Sequence, residues 1–157
     1  MRAIRIIGAG LVLVASVAGA RALEVHKSAT VAGTPEAVWE KIGAFCGIND
    51  WHPAVEACDL SEEGGATYRT LTLPDGATIK EKLVEETATS YTYEIVESPL
   101  PVANYSSTIS VTADGDGTMV DWQGNFDAKD VPDADAEGVI AGIYQAGLDE
   151  IARMAGN

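Results

Sequence analysis

Hydrophobic spacing along the chain changes period several times. An unbroken apolar run, IIGAGLVLVASVAGA, occupies residues 6–20. After it, EVHKSATV over 24–31 reads as a strand. TPEAVWEKIGAF then carries the signals of a helix start, with Thr34 as N-cap, Pro35 at the first helical position and Glu36 in the first turn. That helix is predicted to run to about Phe45, with Gly47 breaking it. A short helical turn over 48–51 follows, ended by Pro53. Six runs of strand character come next, near 55–61, 66–73, 78–86, 90–97, 103–113 and 118–127. Turn-formers separate them: Glu62-Glu63-Gly64-Gly65, Pro74-Asp75-Gly76 and Asp114-Gly115-Asp116-Gly117.

Alternation is cleanest in the last two strands. Tyr105, Ser107, Ile109 and Val111, then Val120, Trp122, Gly124 and Phe126, share one side, while Ser, Thr, Asp, Gln and Asn largely take the other. One face of the sheet is therefore covered and the other wet. The cover is a closing segment over about 133–154, where Val139, Ile140, Ile143, Tyr144, Gly147, Leu148 and Ile151 recur at helical spacing. A strand, two short helices, six more antiparallel strands and one long helix make an α+β domain: a curved sheet of about seven strands around a C-terminal helix.

Compartment follows from the first 22 residues. Arg2 and Arg5 precede the apolar run, and Ala20-Arg21-Ala22 places small residues where a signal peptidase reads, so residues 1–22 are expected to be a signal peptide cleaved near Ala22. The run is shorter than the roughly 20 apolar residues a membrane span needs, so no stable membrane anchor is expected. The domain then covers residues 23–157 and is periplasmic or secreted. Without Arg2, Arg5 and Arg21, seven Lys and Arg face 24 Asp and Glu, a formal charge of −17. Such a surface repels nucleic acid and anionic lipid heads. It either keeps an exported protein soluble or docks a basic partner.

Export also bears on Cys46 and Cys58, the only two cysteines. They bracket GINDWHPAVEA, and in an oxidising compartment an even count points to a disulfide. A metal centre lacks support: zinc wants four ligands at motif spacing, whereas this stretch offers two cysteines and His52 with no CxxC or HxxxH. No metal or other cofactor is expected.

Polar residues on the covered face supply the candidate chemistry. A hairpin turning at Pro74-Asp75-Gly76 sets Arg69, Leu71 and Leu73 on the same face as Ile79, Glu81 and Leu83. Arg69 and Glu81 then pair either inside, as a group that orients a ligand, or at an open rim. Tyr91, Tyr93, Tyr105, Ser107 and Trp122 offer hydroxyl or indole donors to the same interior. Gly124, Gly138, Gly142 and Gly147 either permit close packing or leave room for a cavity. His52 is the one plausible general base, since His26 falls among surface residues of the first strand. No Ser-His-Asp order, phosphate loop or HExxH is present.

The segments TPEAVWEKIGAF, WHPAV, LPDGATIKEKL, YTYEIVESPLPVANYSSTISV and VDWQGNF, spread over residues 24–154, resemble the START-like, or SRPBCC, superfamily of helix-grip folds. The match is to its polyketide cyclase/dehydrase-like branch, and within that to the exported group that includes the methanol-oxidation protein MxaD. The resemblance implies a cavity between sheet and long helix that holds a small hydrophobic molecule, with only some members enzymes. Trp51 and His52 are then expected beside its mouth, Trp51 as an apolar gate. Arg69, Glu81, Tyr93, Tyr105, Trp122 and Tyr144 are the further ligand-binding candidates. Three functions stay open: a binding or carrier protein for a hydrophobic ligand, an accessory protein docking a periplasmic dehydrogenase or cytochrome, and a cyclase or dehydratase using His52 or the Arg69–Glu81 pair.

Overall fold

The computed structural model describes residues 21–156. Apart from Arg21 and Ala22, the expected signal peptide lies outside the described residues. Along the chain run β1 (Leu23–Ala32), α1 (Pro35–Ile42), a single 3-10 turn (Ile48–Asp50), β2 (Ala57–Glu63), β3 (Ala66–Thr72), β4 (Thr78–Glu86), β5 (Ser90–Glu97), β6 (Val102–Asp114), β7 (Gly117–Ala128) and α2 (Asp133–Ala155). The strands form one antiparallel sheet of seven in the order β1-β7-β6-β5-β4-β3-β2. Every consecutive pair from β2 to β7 is a hairpin, and β1 closes onto β7. This is the helix-grip architecture.

Local sequence accounts for the elements. Thr34 caps α1 by accepting from the Ala37 N–H, with Pro35 at the start and Glu36 near the positive end of the helix dipole. The helix ends at Ile42, three residues before the expected Phe45. Gly43 forms the C-cap, its N–H bonded to the Trp39 carbonyl, and a Cβ there would collide with the Trp39 ring. Ending early releases Phe45 to turn inward, where it is buried.

Covered-face residues of β6 and β7 are buried as the alternation predicts: Tyr105, Ser107, Ile109 and Val111, then Val120, Trp122 and Phe126. On α2 the buried stripe is Ala136, Ile140, Tyr144, Gly147, Leu148 and Ile151. Two glycines make the helix fit. A Cβ on Gly147 would lie 2.8 Å from both His52 and Trp122, and one on Gly124 would overlap the Tyr144 hydroxyl. They serve close packing, whereas Gly138 and Gly142 face open space. Because α2 packs chiefly across β1 and β7, the concave surface of β3, β4 and β5 is left with room beneath the helix.

Candidate functional site

That room is a cavity of about 320 Å³, within the range typical of small-molecule sites. Leu71 and Leu73 come from β3 and the turn after it, Ile79 and Glu81 from β4, Tyr93 and Ile95 from β5, and Leu100 from the β5–β6 turn. Tyr105 and Trp122 form the far wall. Val139, Ile140 and Ile143 of α2, with Ile48, His52, Ala54 and Val55, close the remaining side. The lining is overwhelmingly apolar. Val139, 39% exposed, stands where the cavity meets solvent.

Arg69 and Glu81 lie opposite each other in the β3–β4 register, and the pair is internal. Arg69 is fully buried and its Nε donates to Glu81 Oε2 at 2.5 Å. Its Nη1 donates to the Phe45 carbonyl. The guanidinium also stacks over aromatic faces, 4.2 Å from the Phe45 centroid and 4.9 Å from that of Tyr93. Burial opposes charge on Arg69, but Glu81, Tyr91 and Tyr93 together outweigh it and hold its pKa above the ordinary value. Burial pushes the Glu81 pKa up and Arg69 pulls it back. A guanidinium so enclosed keeps its proton, so the carboxylate beside it is ionised and the pair is net neutral. Only Glu81 reaches the cavity surface; Arg69 lies behind it.

His52 is also buried. Its Nε2–H donates to the Ile143 carbonyl at 2.9 Å, and its Nδ1 accepts from the Ala54 N–H at 3.1 Å. A carbonyl cannot donate, which fixes the neutral tautomer with the proton on Nε2. Burial lowers the pKa most, against the Ile143 bond that raises it, and the Arg69 charge adds to the lowering. Both nitrogens are thus occupied, Nε2 in clipping the loop to α2 and Nδ1 in a bond within the loop itself.

A chain of hydroxyls and an indole runs from the far wall into the layer behind it. Trp122 Nε1 donates to the Tyr93 hydroxyl at 3.1 Å, and Tyr93 and Tyr105 oxygens are 3.4 Å apart. Tyr105 meets the Tyr144 hydroxyl at 2.5 Å, Tyr144 meets Ser107 at 2.8 Å, and Ser107 donates to the Gln123 carbonyl at 2.9 Å. Burial raises the pKa of Tyr93 and Tyr105 well above the ordinary value and that of Tyr144 to about 12. All three are neutral phenols at physiological pH.

Of the sequence-derived candidates, His52, Glu81, Tyr93, Tyr105 and Trp122 line the cavity. Arg69 and Tyr144 stand one layer behind, each bonded to a lining residue. Trp51 does not reach the cavity. It is 2% exposed and packs edge-on against Trp122 at 5.7 Å, a position that belongs to the core and does not suit the expected gate. The apolar contacts of Ile48, Val55, Ile95 and Leu100 were not legible as site residues. Isolated apolar side chains carry no signal that separates lining from core, and Leu100 sits in a turn with no strand periodicity to orient it. Cys46 and Cys58 are bridged, with Cα atoms 5.6 Å apart. The bridge anchors the loop that carries His52 to the start of β2.

The model of the family described as polyketide cyclase/dehydrase and lipid transport matches residues 22–156. The chain belongs to this family. Among solved structures similar to this polyketide cyclase/dehydrase family member is the protein XoxI from Bacillus cereus. It shares 36% identity, with 85% of this chain and 96% of that one covered and a TM-score of 0.81. The ZhuI aromatase/cyclase from Streptomyces sp. R1128 shares the fold at 20% identity and a TM-score of 0.68, covering 86% and 94% of the two chains. A START superfamily protein from Mycobacterium smegmatis does so at 13% identity and 0.70, covering 85% and 97%. No curated protein matches the chain. Among the described residues no helix is long and apolar enough to cross a membrane, and no cluster of three or more metal-ligating side chains occurs.

Proposed function

We propose that the protein is an exported binding or carrier protein that holds a small hydrophobic molecule between the sheet and α2. The observation that carries this reading is the cavity of about 320 Å³, apolar over most of its wall, whose candidate bases His52 and Glu81 are already engaged. An enzyme of the cyclase or dehydratase type needs a base free to take a proton. His52 has both nitrogens occupied, and Glu81 is held by Arg69. The wall offers burial and hydrogen bonding, which are the means of a binder.

Titration with N-phenylnaphthylamine, a neutral dye that fluoresces in apolar surroundings, tests the proposal. The parent protein is expected to bind the dye with saturation at one site. Val139→Trp, which places a large ring at the solvent edge of the cavity, is expected to weaken binding at least tenfold with little loss of stability. Equal binding by both proteins would place the dye elsewhere and refute the reading.

A second reading draws on the formal charge of −17 outside the signal segment. It is an accessory role, docking a basic periplasmic redox protein in the manner of MxaD. Docking of that kind weakens as salt rises, whereas a buried apolar ligand is held regardless. Partner capture insensitive to salt would exclude it.

A further inference from the structure

Hydrogen bonding along the far wall has a fixed direction. The Gln123 carbonyl can only accept, so the proton between it and Ser107 is the serine's own. With that proton committed, the 2.8 Å contact between Ser107 and Tyr144 is bridged by the tyrosine proton. The 2.5 Å contact between Tyr144 and Tyr105 must then hold the proton of Tyr105. Each hydroxyl has one proton to give, and three are now placed. At the other end the Trp122 N–H can only donate, so Tyr93 receives it and keeps its own proton uncommitted.

Tyr93 and Tyr105, both lining the cavity, therefore hold opposite hydrogen-bonding capacities. Tyr93 has a free O–H and Tyr105 has only a lone pair. Their oxygens are 3.4 Å apart, beyond the usual range of an O–H···O bond, so the link between them is the weak one in the chain. Both tyrosines are nearly fully buried, where a poorly satisfied hydroxyl carries a desolvation cost.

We infer that this pair selects a neutral ligand carrying a hydroxyl group, which accepts from Tyr93 and donates to Tyr105 while its apolar body fills the rest of the cavity. The inference rests on the binding function proposed above. A group that only accepts, such as an ether or ketone, satisfies Tyr93 alone. A carboxylate sets its charge against the Tyr105 lone pair in a cavity whose wall already carries the Glu81 carboxylate.

Displacement of N-phenylnaphthylamine by naphthol, methylnaphthalene, methoxynaphthalene and naphthoate, all substituted at the same ring position, tests this. Naphthol is expected to bind about tenfold more tightly than methylnaphthalene, the value of one good hydrogen bond. Methoxynaphthalene should fall between them, and naphthoate should bind more weakly than any. In Tyr93→Phe the advantage of methoxynaphthalene over methylnaphthalene should vanish, and that of naphthol should shrink to what donation to the Tyr105 lone pair supplies. If Tyr93→Phe does not fold, the ranking in the parent protein still decides. Methylnaphthalene binding as well as naphthol, or naphthoate binding as tightly, would overturn the inference and leave the binding function standing. Failure of the dye and every naphthalene to bind would overturn both.

Discussion

Replacing Glu81 with glutamine leaves the shape of the β4 side chain almost unchanged and removes one charge from the interior. Glutamine still presents an oxygen to Arg69 Nε, so the contact at 2.5 Å can survive as a neutral-acceptor bond. Charge compensation cannot. Arg69 is 0% and Glu81 5% exposed, so water does not take over the lost partner. At an effective dielectric constant of about 20 and a charge separation of about 4 Å, the missing attraction is about 4 kcal/mol. The glutamine carbonyl, still accepting from Arg69 Nε, returns part of this to the guanidinium. A net loss of about 3 kcal/mol is expected, at the low end for breaking a buried ion pair from one side. Urea unfolding of parent and variant measures it directly, and the same loss should lower Tm by about 10 °C. The double variant Arg69→Met with Glu81→Leu should recover most of the stability, because two charges no longer need each other. A loss below about 1 kcal/mol for Glu81→Gln, the value of an exposed pair, would refute the claim that the charge is confined.

Other expectations test separate parts of the account. Protein folded in an oxidising compartment should show no free thiol on denaturation, and reduction of Cys46–Cys58 should cost about 3 kcal/mol on the loop-entropy model. Gly147→Ala should destabilise by about 1–2 kcal/mol, overpacking against His52 and Trp122 exceeding the gain in helix propensity, whereas Gly142→Ala, in open space, should stabilise by up to about 1 kcal/mol. Equal effects at the two glycines in thermal melts would contradict the packing of α2. His52 has a folded pKa below its unfolded value, so the unfolded state binds more protons and stability should fall as pH drops below about 6.5. The slope is at most about 1.4 kcal/mol per pH unit and levels off below the folded pKa. His52→Gln should remove this component between pH 7 and 5.5, and an unchanged slope in urea titrations would contradict the buried neutral histidine.

Sequence reached the sheet because its covered face is written in period two. Tyr105, Ser107, Ile109 and Val111 fall on it by parity alone, and the same parity set Arg69 against Glu81 once Pro74-Asp75-Gly76 was recognised as a hairpin turn. Register of this kind is local, which is why it survived into the structure. The end of α1 did not, because the stop at Gly43 depends on the Trp39 ring folding over it. Trp51 shows the same limit at the site. Its place in the loop was right, but whether an indole faces a cavity or the layer behind depends on how Trp122 and Gly147 stack, contacts 71 and 96 residues away in the chain. Likewise the direction of the tyrosine chain depends on Ser107 reaching the Gln123 carbonyl, a distance that no residue pattern specifies.

Amide-resolved NMR during titration with N-phenylnaphthylamine tests the central claim most directly. If the space between sheet and α2 is the binding site, perturbed residues should converge from separate elements on one enclosed volume: Leu71 and Ile79, Tyr93 and Ile95, Leu100, and Ile140 and Ile143. The outer groove formed by Val96, Ala103, Asn104 and Lys129 should stay silent. Perturbations confined to that groove, or none at dye concentrations that saturate the fluorescence signal, would contradict a ligand held inside.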